Sequence, residues 1–262
     1  MKLCKLSLVT CSILIFAITI YPAGALELPD FQVNEENYPA IYNQMEPFVA
    51  SALDGRSVVC WQDGREGSSG YNNPYPYFQL FASNGARVGE NVKTDTEPVG
   101  DGPVAAMNAS GEFVIAFIRS IPNDIIVKRY DASGSQIGPE IVAAQANNYY
   151  YVRNPSISMN DDGHIALSFW ASLQDGGYSF FIQYLDYNSG LIGVNAPIDT
   201  SLNNLDQSMQ AVIDNQDRVF LSTISSNLSY GFKQTLKYLN YPLYQISPSI
   251  IVDSCYRIEG QI

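Results

Sequence analysis

Short apolar runs alternate with turn-forming residues along the stretch 103–142. The run 104–107 ends at Asn-Ala-Ser-Gly, whose side chains and glycine favour a turn. Residues 113–118 are continuously apolar and rich in aromatic and β-branched side chains, which over so few residues is typical of a central strand covered on both faces. Further strand-like runs follow at 125–130 and 136–142, separated by Asp-Ala-Ser-Gly. The pattern therefore predicts four strands joined by short turns.

The same template recurs along the chain. Each copy opens at an equivalent position, which is Pro47, Pro103, Pro155 and then Met209, so the spacings are 56, 52 and 54 residues. The predicted central strands read SVVCW, FVIAF, IALSF and VFLST. A repeat of about 50 residues with four strands is typical of one blade of a β-propeller. Because a single sheet cannot cover both of its apolar faces, the sequence predicts an all-β fold, a β-propeller-like array of four stacked four-stranded blades.

The repeats also resemble a known family. The predicted blades span approximately residues 47–100, 103–145, 155–200 and 209–254. Their turn and core positions resemble those of secreted bacterial β-propeller repeat proteins, which carry a loose P-x-V-A … D-G-x-F-V-V-x-W … D-x-x-G-x-x-x-G pattern. The likeness covers roughly residues 28–254. These motifs are structural positions, so the resemblance implies the fold and says little about activity.

The number of predicted strands does not decide whether the ring of blades is closed. Residues 31–34, Phe-Gln-Val-Asn, look like a lone outer strand from a preceding blade, whereas the fourth unit already has its own outer strand at 249–252. This is one strand too many for a ring in which an amino-terminal strand completes the last blade. The array is therefore either a closed ring or an open arc cut from a longer propeller. The end at Ile262, a few residues into a further unit, favours the arc.

The first 25 residues predict a secretory signal peptide. Lys2 and Lys5 give a basic start, residues 13–20 are strongly apolar, and 23–25 provide the small residues that a signal peptidase recognises. The apolar core is too short for a comfortable membrane span. We expect the signal peptide to be removed and residues 26–262, the propeller repeats, to be secreted or periplasmic.

The charge of the chain limits its partners. The chain has 14 basic and 26 acidic residues, and loss of the predicted signal peptide leaves 12 basic against 26 acidic residues, a net charge of −14. A surface this acidic repels polyanions, so nucleic acid and anionic lipid are not expected as partners. Carbohydrate or protein at the cell exterior is the expected kind of partner, and self-association is expected if the ring is incomplete. Alternatively, the acidity serves only solubility.

Two cysteines remain after the predicted cleavage. Cys60 lies in the predicted central strand of the first unit and Cys255 just beyond the last strand of the fourth. If the ring closes, these units meet and the two cysteines become a candidate disulfide in a compartment that permits one. The chain-entropy model assigns such a bridge on the order of 4 to 5 kcal/mol. The alternative, which we favour, is that Cys60 is a small buried apolar residue.

One rim of a propeller collects both the loops between blades and the loops between second and third strands. The longest second-to-third loop, 62–73, carries Asp63, Arg65 and Glu66, and the inter-blade loop that follows reaches Asp101. These four residues are candidate ligand-binding residues. Carboxylate pairs for glycoside hydrolysis face each other about 5 to 9.5 Å apart, so Asp63 or Glu66 with Asp101 is a candidate pair. The competing interpretation is an acidic surface without a specific role.

A run of tyrosines lies on a neighbouring inter-blade loop of the same rim. Tyr149, Tyr150 and Tyr151 follow two asparagines. Aromatic faces with amide neighbours suit neutral carbohydrate or peptide, so we predict a candidate binding platform here. The alternative is that these rings extend a strand or pack between blades.

Motifs for metal or phosphate binding are not recognisable in the sequence. His164 is the only histidine, and no cysteine pair has ligand spacing, so a zinc site is not expected. The turn 160–163, Asn-Asp-Asp-Gly, lacks the spaced ligands and terminal glutamate of an EF-hand loop. We expect no cofactor and assign no catalytic residue.

Three functional hypotheses follow. The first is a secreted, non-catalytic β-propeller that acts as a binding or scaffold surface, complete or as a fragment of a longer propeller. The second is a propeller glycoside hydrolase or lyase that uses rim carboxylates. The third is a partial propeller that assembles with further copies.

Overall fold

The computed structural model describes residues 32–33, 43–66, 74–174, 176–202, 208–227, 231–240 and 250–255. For residues 199–202, 208, 225–227, 231–235, 240 and 250–255 it describes the backbone alone. The chain forms two compact units, Met1–Gln32 and Val33–Ile262. The predicted signal peptide lies outside the described residues. Of the lone strand predicted at 31–34, only Gln32 and Val33 are described, and neither lies in a strand.

The second unit consists of four antiparallel four-stranded sheets, each with its strands in chain order. The first sheet is β1 Gln44–Ser51, β2 Ser57–Asp63, β3 Tyr75–Phe81 and β4 Arg87–Lys93. The second is β5 Val99–Met107, β6 Phe113–Arg119, β7 Ile125–Tyr130 and β8 Ile141–Ala144. After a short 3-10 helix at Ala146–Asn148, the third is β9 Tyr151–Met159, β10 His164–Ser172, β11 Tyr178–Asp186 and β12 Gly190–Leu202. The fourth is β13 Ser208–Ile213, β14 Arg218–Asn227, β15 Gly231–Asn240 and β16 Ile250–Cys255. The predicted all-β array of four four-stranded blades is confirmed.

The turn between the first and second strands of each sheet follows the predicted repeat. Gly55, Gly111 and Gly163 adopt φ angles of 90°, 81° and 85°, a region that glycine enters without a Cβ clash. The fourth copy has Asp217 there with φ 59°. Aspartate tolerates this region better than most residues because its short side chain bonds locally, so the degraded copy still forms the turn.

The outer strand of the second sheet differs from its predicted bounds of 136–142. The strand β8 spans Ile141–Ala144, and only an isolated bridge joins Gln136 to Tyr130. Gly138 adopts a φ of 64°, and the Pro139 that follows has no N–H to give to a ladder. The chain therefore turns between these residues before pairing resumes.

Each sheet has two faces with distinct neighbours, because side chains alternate along a strand. In β6, Phe113, Ile115 and Phe117 contact the sheet that precedes in the chain, and we call this side of any sheet its backward face. Val114 and Ala116 of the same strand contact the sheet that follows, on the forward face. All five side chains are fully buried.

Hydrophobic clusters join successive sheets. One cluster lies between the first and second sheets, a second between the second and third, and a third between the third and fourth. Among the described residues, no such cluster joins the fourth sheet to the first. In the described part of the chain the sheets are thus joined in the order first to fourth, and we call this row of four sheets the arc.

A band of hydrogen bonds links the turns along one rim of the arc. The Arg56 guanidinium donates to the carbonyl oxygen of Ser110 at 2.8 Å. The backbone N–H of Ala109 donates to Asp161 at 2.9 Å, and the N–H of Asp161 donates to Asn215 at 3.0 Å. These bonds connect neighbouring sheets at this rim. No helix in the described ranges is long and apolar enough to cross a membrane.

Candidate functional site

The innermost strands of all four sheets border one central cavity, which we call the axial pocket. Its volume is about 340 Å³, within the range typical of small-molecule sites. Glu46 comes from the first sheet, Asp101 from the second, Asn154 from the third and Gln210 from the fourth. The pocket therefore combines two carboxylates with two side-chain amides, and each sheet contributes one of these four side chains.

Irregular backbone at the inner strands points polar residues into this pocket. The pairing of β1 with β2 shifts between Met45 and Phe48, and Glu46 within this bulge has a φ of 53°. Asn154 in β9 has a φ of 51° at the corresponding bulge. A bulge re-aims a side chain, and positive φ at a residue other than glycine is a local strain that commonly marks functional positions. Glu46 and Asn154 both come directly before a repeat proline, which restricts the preceding backbone.

Gly102 occupies the corresponding position in the second sheet and lets Glu46 approach. A Cβ at Gly102 would lie 2.5 Å from Oε2 and 2.6 Å from Cβ of Glu46. These separations are well below van der Waals contact. The missing side chain at Gly102 therefore leaves the space that the Glu46 side chain occupies.

Both carboxylates of the axial pocket already accept hydrogen bonds from the protein. Glu46 accepts one from the Gln62 amide at 3.0 Å. Asp101 accepts one from the backbone N–H of Asn154 at 3.2 Å, and the Arg153 guanidinium lies 3.9 Å from its other oxygen. These donors orient the carboxylates, whose remaining lone pairs can accept hydrogen bonds from ligand hydroxyl groups.

The three predicted tyrosines have different environments. Tyr149 is buried, and its ring lies 5.8 Å from that of Phe169 and 5.0 Å from that of Phe181, measured between centroids. Its hydroxyl accepts a hydrogen bond from Asn195 at 3.1 Å, and burial raises its pKa. Tyr149 thus packs in the core between the second and third sheets.

Tyr150 is exposed just before β9, and Tyr151 is partly buried at the start of that strand. Tyr150 is 75% exposed, and its ring is 5.7 Å from that of Tyr151 in an edge-to-face arrangement. Tyr151 rests on Trp170 at 5.2 Å, and burial, followed by the proximity of another tyrosine, raises its pKa. The Arg153 guanidinium lies 5.5 Å from the Tyr151 ring and also approaches Asp101. Arg153 therefore connects this aromatic pair to the axial pocket.

The predicted site residues of the first sheet form a separate cluster on its backward face. The fully buried Asp63 carboxylate accepts hydrogen bonds from the Trp61 indole at 2.8 Å and the Arg65 guanidinium at 2.6 Å. Arg65 also lies 4.5 Å above the Tyr77 ring. Asp63 and Arg65 thus cover the Trp61 and Tyr77 rings at this end of the arc.

Glu66 belongs to the same cluster. It accepts a hydrogen bond from the Tyr77 hydroxyl at 2.5 Å and pairs with Lys93. The hydrogen bond from Lys93 is the main cause that lowers the pKa of Glu66, and the hydrogen bond from Tyr77 is the second. Burial is the main cause that raises the pKa of Tyr77, and the hydrogen bond to Glu66 is the second. Glu66 thus belongs to this cluster, whereas Asp101 and Glu46 line the axial pocket.

Cys60 is buried and forms no disulfide with any side chain that the structure describes. It lies on the forward face of the first sheet, where its Sγ donates a hydrogen bond to the carbonyl oxygen of Pro103 at 3.4 Å. Burial raises the pKa of the thiol. These features fit the interpretation as a small core residue. The side chain of Cys255 lies outside the described part of the chain, so the candidate disulfide stays a prediction.

Sequence reasoning missed Glu46, Asn154 and Gln210. All three lie on inner strands, outside the long loops that carry the predicted candidates. A usable signal was present, since Glu46 and Asn154 directly precede prolines at equivalent positions of the repeat, and Gln210 directly follows the equivalent Met209. Within the described residues, no cluster of three or more histidine, cysteine, aspartate or glutamate side chains could hold a metal ion.

Solved structures of other proteins superpose on this chain. An α-L-arabinanase of Penicillium chrysogenum complexed with arabinobiose superposes with a TM-score of 0.51 at 12% identity, over 79% of this chain and 66% of that one. An α-L-arabinofuranosidase of Podospora anserina in complex with cellotriose has a TM-score of 0.48 at 10% identity, over 85% and 71%. A Hadza microbial sialidase has a TM-score of 0.48 at 9% identity, over 81% and 59%. At 12% identity, the likeness to the arabinanase shows the β-propeller fold alone.

This chain spans less than two thirds of the sialidase and of the arabinanase, 59% and 66% of their lengths. No protein-family model and no curated protein matches its sequence. The finer resemblance to secreted bacterial repeat proteins therefore stays a prediction.

Proposed function

We propose that this protein is a secreted β-propeller that binds a neutral oligosaccharide in the axial pocket without hydrolysing it. The observation that carries this proposal is the convergence of Glu46, Asp101, Asn154 and Gln210 on one pocket of about 340 Å³. Carboxylates accept hydrogen bonds from sugar hydroxyls, and amides both donate and accept them. The acidic chain, with a net charge of −12, disfavours anionic ligands.

The aromatic pair beside the pocket extends this proposed site. Tyr150 offers an exposed ring, and Tyr151 is held by Trp170. Aromatic rings present a large apolar face at low entropic cost, which suits the apolar face of a sugar ring. A chain of sugar residues would then occupy the pocket and continue over the tyrosines, passing Arg153.

Fold likeness supports carbohydrate as the ligand class to test first. The arabinanase that shares this fold was solved with arabinobiose. The likeness concerns the fold alone, so the ligand itself has to be measured.

The first experiment screens the purified chain on a glycan array and measures the affinity of the best ligand by calorimetry. We expect Glu46→Gln and Asp101→Asn each to weaken binding about 10- to 100-fold, because each removes a charged hydrogen-bond acceptor. Glu90→Gln, the same change at an exposed residue of the outer strand β4, should leave the affinity unchanged. Absence of any neutral glycan ligand would overturn the proposal.

Gly102 provides a second test of the same site. Gly102→Ala places a Cβ against Glu46 and should reduce the affinity about tenfold by displacing that carboxylate. Gly100→Ala on the same strand is the matched control, since its Cβ would meet its nearest atoms at 3.9 Å. Equal affinities of the two variants would contradict the role of Glu46 in binding.

Glycoside hydrolysis is the second candidate function. It is favoured by the two carboxylates, Glu46 and Asp101, that border one pocket from neighbouring sheets. Hydrolysis requires one carboxyl group as acid and the other as base or nucleophile. Release of shorter sugars from the bound glycan, lost in Glu46→Gln and Asp101→Asn but retained in Glu90→Gln, would establish hydrolysis and reject the non-catalytic proposal.

The proposed location outside the cytoplasm rests on the amino-terminal sequence. Lys2, Lys5 and the apolar run 13–20 precede small residues at 23–25. Mass spectrometry of the exported protein should give a first residue of Leu26. Accumulation of the uncleaved chain inside the cell would reject this location.

A further inference from the structure

The two ends of the arc expose positions that the repeat buries elsewhere. Val49 lies on the backward face of the first sheet, opposite Val59, and is 62% exposed. The equivalent residues of the other inner strands, Ala105, Ile157 and Ala211, are 2%, 6% and 2% exposed. The difference arises because each of those residues has a preceding sheet packed against it.

The forward face of the fourth sheet shows the same contrast. Ile224 is 39% exposed, whereas the equivalent Ile118 and Trp170 are 0% and 3% exposed. Val212 is 56% exposed, whereas the equivalent Ala106 is 6% exposed. Apolar side chains at interior-type positions thus face outward at both ends.

The two exposed faces are complementary because one is a backward face and the other is a forward face. Every interface between sheets of this chain joins the forward face of one sheet to the backward face of the next. The first sheet exposes a backward face and the fourth sheet a forward face. Together they are the two halves of the interface that the chain already forms three times.

The first end also contains a groove of about 220 Å³. It lies beside Val59 and Trp61 and is bordered by Met45 and Val33. In the interior interfaces, side chains of the preceding sheet fill the corresponding space. Ile224 of a second copy is on the correct face to fill the groove.

We propose that this protein self-associates head to tail, with the forward face of the fourth sheet of one copy packed on the backward face of the first sheet of another. Such an interface is heterologous, so it closes a ring or continues as a chain according to the rotation between copies. The net charge of −12 makes copies repel each other. Association should therefore strengthen as salt screens this repulsion.

The test measures the mass of the full chain by analytical ultracentrifugation over a wide range of concentration, at low and high salt. We expect the mass to rise with concentration, and more strongly at high salt. Val212→Asp and Val49→Asp should each weaken association about 100-fold or more, because each buries an unpaired charge at one of the two faces. Val194→Asp is the control, since Val194 is 76% exposed on the outer strand β12, away from both end faces.

Mixing the two end variants distinguishes this interface from any other. Val49→Asp retains the forward face of the fourth sheet, and Val212→Asp retains the backward face of the first. An equimolar mixture should therefore form a dimer and nothing larger. Unchanged melting temperatures and unchanged glycan binding of the monomers will show that the fold and the axial pocket are intact. A wild-type chain that stays monomeric at all concentrations, or a mixture that stays monomeric, would overturn the proposal.

Discussion

The first and second sheets carry the same repeat but have different surroundings. Ile115, on the backward face of the second sheet, is fully buried against the first sheet. Val59 is its equivalent in the first sheet and is only half-buried. Trp61, equivalent to the buried Phe117, is covered instead by a cluster of polar and aromatic side chains that includes Asp63. Burial in this protein thus depends on the neighbouring sheet as much as on the repeat position.

The comparison shows how the outer face of a terminal sheet is covered in this repeat protein. Terminal units of a stacked array need a polar cover on their outer face, because each unit relies on its neighbour to shield apolar surface. Asp63, Arg65 and Glu66 supply such a cover over part of the first sheet. Val49 and Val59 lie outside it. The predicted binding residues of the long loop therefore contact side chains of their own sheet and cover part of its outer face.

The largest expected effect is at an interior position. Phe117→Asp buries an unpaired charge between the first and second sheets, which costs several kcal/mol against a total stability of about 5 to 15 kcal/mol. We expect the variant not to fold, as judged by circular dichroism and solubility. Val49→Asp at the exposed end should fold normally. A Phe117→Asp variant that melts like the parent would contradict the packing described here.

A matched truncation pair sharpens the comparison. Ile115→Ala should cost about 3 kcal/mol, since it opens a cavity in a fully buried interface. Val59→Ala removes a smaller and half-buried side chain, so we expect about 1 kcal/mol. Denaturant unfolding of both variants measures the difference. Both variants are measured in dilute solution, where the chain is monomeric, and equal losses there would contradict the exposure of the first sheet.

An ion cluster between the first and second sheets predicts a pH dependence. Asp95 pairs with Arg119 at 2.7 Å and with Lys128 at 3.0 Å, and Lys128 also donates to the carbonyl oxygen of Thr94 at 2.7 Å. Desolvation of Asp95 acts to raise its pKa, but the hydrogen bonds from Arg119, Glu97 and Lys128 outweigh it, so the pKa is lowered on folding. A lowered pKa means that the folded state favours the ionised carboxylate.

The stabilisation from Asp95 is therefore fully present above its unfolded-state pKa of about 3.9. It is lost as the pH falls below that value through the lower native pKa. At neutral pH, Asp95→Asn should cost about 2 kcal/mol, less than for an isolated buried pair because Arg119 keeps its partner Glu140. Denaturant unfolding should show this difference at neutral pH and a smaller one in acid. A difference that stays constant with pH would reject the ionic role of Asp95.

The smallest expected effect compares two equivalent arginines. Arg56 donates to the carbonyl oxygens of Ser110 and Ala109 in the next sheet, whereas the described ion-pair partner of Arg218 is Asp214 in its own turn. Arg56→Ala should cost about 1 kcal/mol. Arg218→Ala should leave the stability nearly unchanged, because exposed ion pairs contribute little. Thermal melts of both variants decide whether turn contacts between sheets stabilise the arc.

The fold was predictable because its signals are local. Apolar runs such as 113–118 and turns at Gly111 and Gly163 depend on residues within a few positions of each other. The outer strand of the second sheet was misplaced because Gly138 and Pro139 interrupt a run that otherwise has strand character.

The candidate site was less predictable. Tyr149 and Tyr150 are adjacent in the sequence, yet one is 6% and the other 75% exposed. Glu46 and Asp101 are 55 positions apart and line the same pocket, where the pairing of both inner strands is irregular. Such contacts depend on how sheets pack, and a local pattern carries no information about them.

The sequence alone determined the number of repeats, the strands within each and the residues that alternate into the core, because turn chemistry and side-chain alternation act over a few residues. The tertiary structure alone decided which polar groups converge on the axial pocket and which apolar faces remain exposed at the ends. Both outcomes depend on contacts between sheets about 50 residues apart, whose geometry is set by packing and by bulges in the inner strands.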